Sequence, residues 1–197
     1  MKETILEMET YAKENNVPII EKESIAYIMQ YIKNNNVKSI LEIGSAIGYS
    51  TILMASANIN ATITTIERDE TRYMECLKNI KKVGLEKKIN VVYQDALEVN
   101  LTGVSYDLIF IDAAKGQNTK FFEKYKYFLN PDGVIITDNL KFHGYVGKSS
   151  EIESKNLRQL VAKIEEYIDF LKDNKEFDTE FIDIGDGLSV SHRIPTK

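Results

Sequence analysis

The stretch Ile40-Leu41-Glu42-Ile43-Gly44-Ser45-Ala46-Ile47-Gly48-Tyr49-Ser50 constrains this chain most, because it reads as a buried strand running into a glycine-containing turn and then a helix. Gly44 and Gly48 lack a Cβ, so the backbone can turn tightly and approach a ligand closely, and Ser50 falls where a helix N-terminus offers unpaired N–H groups. The next apolar run, Thr62-Ile63-Thr64-Thr65-Ile66-Glu67, ends in an acid about as far downstream as the ribose-binding carboxylate of a dinucleotide fold. The glycine spacing departs from that fold. G-x-x-x-G stands where G-x-G-x-x-G would bring a backbone amide against a pyrophosphate, so the expected ligand is a cofactor with a ribose and no phosphate.

From Lys38 onward short apolar runs alternate with helical patterns, which predicts a parallel sheet wrapped by helices with right-handed crossovers. Strands are expected near 38–43, 62–67, 88–93, 106–112 and 133–138, and helices near 48–57, 69–83 and 117–128. Ahead of them, residues 3–14 are helix-compatible, Asn15-Asn16-Val17-Pro18 breaks the pattern, and Glu21 to Asn35 places Ile25, Ile28, Met29 and Ile32 on one helical face. The chain thus divides into an N-terminal helical cover, 1–36, and a core, 37–197, within one domain.

Beyond Asn139, the segment from Leu140 to Ser150 is expected to be a loop over the site. Glu151 to Asp173 then carries Leu157, Leu160, Val161, Ile164, Ile168 and Leu171 on one helical face. Residues 180–184 and 188–191 flank Gly185-Asp186-Gly187, whose Asp-Gly pair suits a tight hairpin loop.

Composition narrows the function classes. No apolar run approaches the length that spans a bilayer, the first residues lack the apolar core of a signal peptide, and the single cysteine, Cys76, has no internal partner, so a cytoplasmic protein is expected. A formal charge of −5 argues against non-specific nucleic-acid binding and leaves room for a local basic patch.

Two further strands end in oxygen ligands: Phe110-Ile111-Asp112 and Ile136-Thr137-Asp138-Asn139. Two carboxylates and an amide suit a hard divalent cation such as Mg²⁺, although an Asp-Asn pair at a strand end is more often a plain turn. Lys115 follows Asp112 by three residues; most lysines are solvated surface charges, but one beside a cation and partly desolvated suits a general base.

The blocks LEIGSAIGYST, TTIERDE, YDLIFIDAAKGQ and GVIITDN, in that order, resemble class I S-adenosylmethionine-dependent O-methyltransferases of the metal-assisted catechol and caffeoyl-CoA type. NNVPI near the start and GDGLSVS near the end look like the bacterial tRNA 5-hydroxyuridine methyltransferase branch. The resemblance implies an α/β Rossmann-like methyltransferase fold: a mostly parallel seven-stranded sheet, closed by a C-terminal antiparallel hairpin, with helices on both faces. It implies that Glu67 holds the ribose hydroxyls of S-adenosylmethionine, that Gln94, Asp95 and Ala96 border the adenine, and that Ser50, Glu42 and Gly44 surround the methionine portion. Val17, Ser45, Gly48, Arg68 and Asp112 complete the implied cofactor set. Asp112, Asp138 and Asn139 become the metal ligands and Lys115 the base.

The implied acceptor is 5-hydroxyuridine in a tRNA anticodon loop, with a small catechol-like phenol as the alternative, and the family's dimers imply a homodimer. For an RNA acceptor, Lys141, His143, Lys148, Lys155, Arg158 and Lys163 would form a basic rim and Phe142 or Tyr145 a stacking platform. Two other classes compete: a nicotinamide-dependent oxidoreductase, which lacks its pyrophosphate fingerprint here, and a non-enzymatic nucleotide- or RNA-binding module, which would leave the metal trio and Lys115 idle.

Overall fold

Ile40, Leu108, Phe110, Val134 and Ile136 pack into one apolar cluster, while their strand neighbours Leu41, Ile43, Ile109, Ile111 and Ile135 pack into a second. Successive side chains of a strand point to opposite faces, so continuous apolar runs of this kind belong to a sheet covered on both sides. The computed structural model describes residues 1–148 and 151–195 and contains that sheet.

Its strands are β1 (Ser39–Ile43), β2 (Thr62–Glu67), β3 (Ile89–Tyr93), β4 (Tyr106–Ile111), β5 (Leu129–Thr137), β6 (Phe177–Ile182) and β7 (Leu188–Arg193), in the order β3-β2-β1-β4-β5-β7-β6. The first five run parallel, and β7 pairs antiparallel with both β5 and β6.

Among the described residues six α-helices flank it: α1 (Lys2–Glu14), α2 (Lys22–Asn34), α3 (Tyr49–Ala57), α4 (Glu70–Lys82), α5 (Asn118–Tyr125) and α6 (Lys155–Asp173). Met8, Ile28, Ile32, Ile52 and Cys76 bring α1 to α4 onto the first face, and Phe121, Phe122, Tyr125, Tyr167 and Leu171 bring α5 and α6 onto the second. Among the described residues no helix is long and apolar enough to cross a membrane.

The departures from the sequence expectations have local causes. β5 starts at Leu129 rather than 133, because Tyr106 pairs with Leu129 and the register then shifts across Asn130-Pro131-Asp132-Gly133 before Leu108 meets Val134. α6 begins at Lys155 rather than 151, where Ser154 caps it by accepting from the Leu157 N–H. The hairpin strands lie at 177–182 and 188–193, so the loop between them spans five residues, 183–187, and is not a tight Asp-Gly turn. Residues 140–147 form a series of turns, and Ser149 and Ser150 of the expected loop lie outside the described residues.

In this topology the chain reverses its order between β1 and β4, and the crevice beyond the carboxyl ends of those two strands is where open α/β sheets bind ligands.

Candidate active site

The end of β1 is drawn against the end of β4. Gly44 has φ +97°, and a Cβ there would lie 2.4 Å from the Asp112 carbonyl oxygen, so no larger residue lets the two strand ends meet. Beyond them opens a cavity of about 510 Å³.

Gly44, Ser45, Ser50, Glu67, Arg68, Gln94, Asp95 and Ala96 line it towards β2 and β3. Asp112, Lys115, Asp138 and Asn139 line it towards β4 and β5. The segment Pro18–Glu21, Tyr49, Gln117 and Phe121 also line it, and none of them carries a sequence motif that marks it as a site residue. Only the apolar character of Ile19, Ile20 and Phe121 signals them, and apolar residues suit any core.

Three of the residues expected at the cofactor do not line the cavity. Val17 is half-buried beside α1, where its N–H donates to the Ala12 carbonyl. Gly48, with φ +86°, faces α4: a Cβ there would sit 2.8 Å from Cys76 Sγ, so the second glycine serves helix packing. Glu42 is fully buried beneath the turn. Its carboxylate accepts hydrogen bonds from Ser50 Oγ at 2.5 Å, Thr65 Oγ1 at 2.6 Å and the Thr51 hydroxyl.

Burial pushes the Glu42 carboxyl up to about 7, against the opposing pull of the three hydroxyls, with the Asp112 charge adding to the rise. A carboxyl with a raised folded-state pKa takes its proton more readily folded than unfolded. Its contribution to stability is therefore complete below its ordinary value of 4.5 and is lost as pH rises through about 7. Denaturation of wild type and Glu42→Gln across that window should show the wild type losing stability relative to the variant as pH rises. A constant difference between the two would contradict a neutral buried carboxyl.

Glu67 is held differently. Its Oε2 accepts from the Ala46 N–H at 2.9 Å, and its Oε1 accepts from the N–H groups of Arg68 and Asp69 at 2.8 Å each. These bonds fix the carboxylate at the end of β2, and Ala46 adopts a left-handed φ of +45° in making its bond. Asp95 accepts from the Leu97 N–H at 2.8 Å and from Arg68 Nη1 at 3.1 Å, and these bonds, the backbone one foremost, hold its carboxyl below the usual range.

At the other end of the cavity Asp138 is buried, and Asp112 and Asn139 are partly buried. The Asn139 amide nitrogen lies 2.7 Å from Asp138 Oδ2 and 3.3 Å from Asp112 Oδ1, and Lys115 Nζ lies 3.6 Å from Asp112 Oδ1. Asp138 Oδ1 is buried without a hydrogen-bond partner. Burial first, and then the neighbouring Asp112 charge, push the Asp138 carboxyl up to about 7, and burial likewise raises Asp112 against the pull of Lys115.

Two desolvated carboxylates that repel one another, with one oxygen lacking a donor, form a donor set that a divalent cation fits. The third oxygen belongs to an amide, consistent with the absence, among the described residues, of any metal-type cluster of three His, Cys, Asp or Glu. Asn139 turned end for end presents its oxygen in place of its nitrogen.

The expected basic rim is only partly available. Lys141 pairs with Asp183, and Arg158 donates to the Ile152 carbonyl at 2.7 Å from Nη2 and 3.1 Å from Nε. Lys148, Lys155 and Lys163 are exposed, as is Tyr145, while Phe142 and His143 line the cavity.

The arrangement can hold a sugar-bearing cofactor at one end and polarise an acceptor hydroxyl at the other, with an amine beside it. A family model described as O-methyltransferase matches residues 1–194. A crystal structure from Staphylococcus aureus, described as a caffeoyl-CoA O-methyltransferase, is 40% identical with a TM-score of 0.92, covering 96% of this chain and 91% of that one. The caffeoyl-CoA O-methyltransferase of Populus kitakamiensis is 28% identical over 187 residues, 91% of this chain and 78% of its own length. A Bacillus cereus O-methyltransferase solved with S-adenosylhomocysteine has the same fold at 23% identity, with a TM-score of 0.84 and coverage of 98% and 91%.

Proposed function

The chain belongs to the S-adenosylmethionine-dependent O-methyltransferases of the caffeoyl-CoA and catechol type, and from that premise we propose that it methylates 5-hydroxyuridine at the tRNA wobble position, using a divalent cation. The observation that carries the cation is the pairing of partly buried Asp112 with buried Asp138, whose Oδ1 has no donor.

Asp112, Asp138 and Asn139 would hold the cation, which supplies Lewis-acid polarisation of the acceptor hydroxyl. Methyl transfer from a sulfonium is the chemistry that S-adenosylmethionine brings. Glu67 accepts the ribose hydroxyls, and the Gly44 turn lets the backbone approach the ligand. Lys115, beside Asp112, takes the proton of the acceptor hydroxyl as its oxygen bonds to the methyl carbon and the carbon–sulfur bond breaks, leaving a neutral thioether. Phe121, Ile20 and Phe142 bound the cavity and limit water around the reacting atoms.

In 5-hydroxyuracil the 5-hydroxyl and neighbouring O4 can chelate one cation much as the two catechol hydroxyls do. An RNA acceptor is favoured by the exposed Lys148, Lys155 and Lys163 and by the Phe142–Tyr145 pair, whose rings lie 6.4 Å apart beside the mouth. Bulk tRNA nucleosides from cells with and without the gene test this by mass spectrometry: 5-methoxyuridine is expected to disappear and 5-hydroxyuridine to accumulate in its absence. Unchanged nucleosides, with catechol methylated by the purified protein, would assign a small phenol instead.

Glu67→Ala removes the acceptor of the proposed ribose bonds and is expected to weaken S-adenosylhomocysteine binding by about 1.5–3 kcal/mol, roughly 10- to 150-fold. Glu67→Gln, which keeps an oxygen for the Ala46 N–H, separates that loss from rearrangement of the turn. Calorimetry showing full affinity in a folded Glu67→Ala protein would remove the assignment.

A further inference from the structure

We infer that Asp186 is a positioning residue that fixes the acceptor-side wall of the cavity from the loop between β6 and β7. The wall begins at Asn139 and includes Phe142 and His143, all of which line the cavity. These three residues have φ of +69°, +45° and +55°. Side chains rarely adopt such conformations, and they persist only where surrounding contacts hold them.

Bonds to residues 186 and 187 tie down the cavity-lining half of this turn, while at its far end the Gly147 N–H donates to Glu165 Oε1 on α6 at 2.8 Å. The Leu140 N–H donates to the Gly187 carbonyl at 3.0 Å and the Lys141 N–H to the Asp186 carbonyl at 2.8 Å. The His143 N–H donates to Asp186 Oδ1 at 2.6 Å, and His143 Nδ1 lies 3.7 Å from Asp186 Oδ2. The Asp186 side chain is only 6% exposed and its Oδ2 has no hydrogen-bond partner, so the bond that Oδ1 accepts from the His143 N–H is what orients the carboxyl group.

The same loop seats the opposite wall. A Cβ on Gly185 would come within 2.3 Å of Ser24 Oγ and 3.1 Å of Glu21 Oε2, so the start of α2 rests directly on it, and Glu21 lines the cavity. A Cβ on Gly187 would lie 2.9 Å from Lys141 Cγ. The loop therefore stands behind both Glu21 and His143, which line the same cavity as Asp138, and sets the space left to an acceptor between them. The inference rests on the methyl-transfer reading only for what that acceptor is.

Hydrogen–deuterium exchange on the full chain, wild type against Asp186→Ala and Asp186→Asn, tests it together with S-adenosylhomocysteine calorimetry and acceptor kinetics. In Asp186→Ala, amides in 140–147 should exchange about tenfold faster while β5, α6 and cofactor affinity stay as in wild type. The acceptor KM should rise about tenfold with a smaller change in kcat. Asp186→Asn keeps an oxygen for the His143 N–H and should recover most of both effects. Unaltered exchange in 140–147 of the alanine variant would overturn the inference. So would faster exchange spread through β5 and α6, or failure of that variant to fold, since either assigns Asp186 to general stability. A wild type that methylates no acceptor counts against the methyl-transfer reading, and the exchange comparison still decides the role of Asp186.

Discussion

Lys115→Met should lower kcat by about 10²- to 10⁴-fold, the contribution of a positioned general base, while leaving S-adenosylhomocysteine affinity near wild type. The lysine is carried by a 3₁₀ turn, Lys115–Gln117, between β4 and α5, with its amine 3.6 Å from Asp112 Oδ1. Methionine keeps an unbranched apolar stem of about the same length, with sulfur in place of one methylene, and lacks the amine, so packing of the turn is preserved. Acidic acceptors depend less on a base, so the loss should shrink as the acceptor hydroxyl becomes more acidic. A Lys115→Met enzyme with wild-type turnover on every acceptor would leave the proton to water.

Asp138→Asn should cost at least about 10²-fold in turnover, on the scale of losing a main electrostatic stabiliser of the reacting oxygen. It should not weaken the metal-free fold. In the absence of a cation Asp138 and Asp112 repel one another in a desolvated site, and the amide relieves that repulsion. Thermal melts in chelator should therefore place the variant at or above the wild type, and added Mg²⁺ should raise the wild type and not the variant. Loss of both activity and metal-free stability would instead make Asp138 a structural residue.

Much of this architecture is legible in the sequence because the central strands are apolar on both faces and end in a polar residue. That pattern locates Gly44, Glu67, Asp112 and Asp138 at the carboxyl edge, where the structure has them. Glu42 shows the limit of the same reasoning. It too is an acid late in an apolar strand, but it points under α3, and the only sequence sign of this is the hydroxyl on each of Ser50, Thr51 and Thr65.

Gly48 was legible as a glycine that must be small, but not as one whose neighbour is Cys76 on a helix distant in sequence. Asp186 was hidden for a related reason. An Asp-Gly pair between two strands is a sound turn signal, and nothing local says that the carboxylate reaches the backbone of His143. Pairing across long sequence separations is set by the packing of whole elements, which composition and periodicity do not encode position by position.

The most direct measurement incubates the purified protein with S-adenosylmethionine and tRNA containing 5-hydroxyuridine, with Mg²⁺ or with chelator, and quantifies 5-methoxyuridine by mass spectrometry. The predicted result is product that requires the cation, returns when the cation is restored, and falls steeply with added salt as counterion release weakens RNA binding. Equal product in chelator would contradict the metal-assisted mechanism, and no product under any condition, with the tRNA and cofactor intact, would contradict the acceptor.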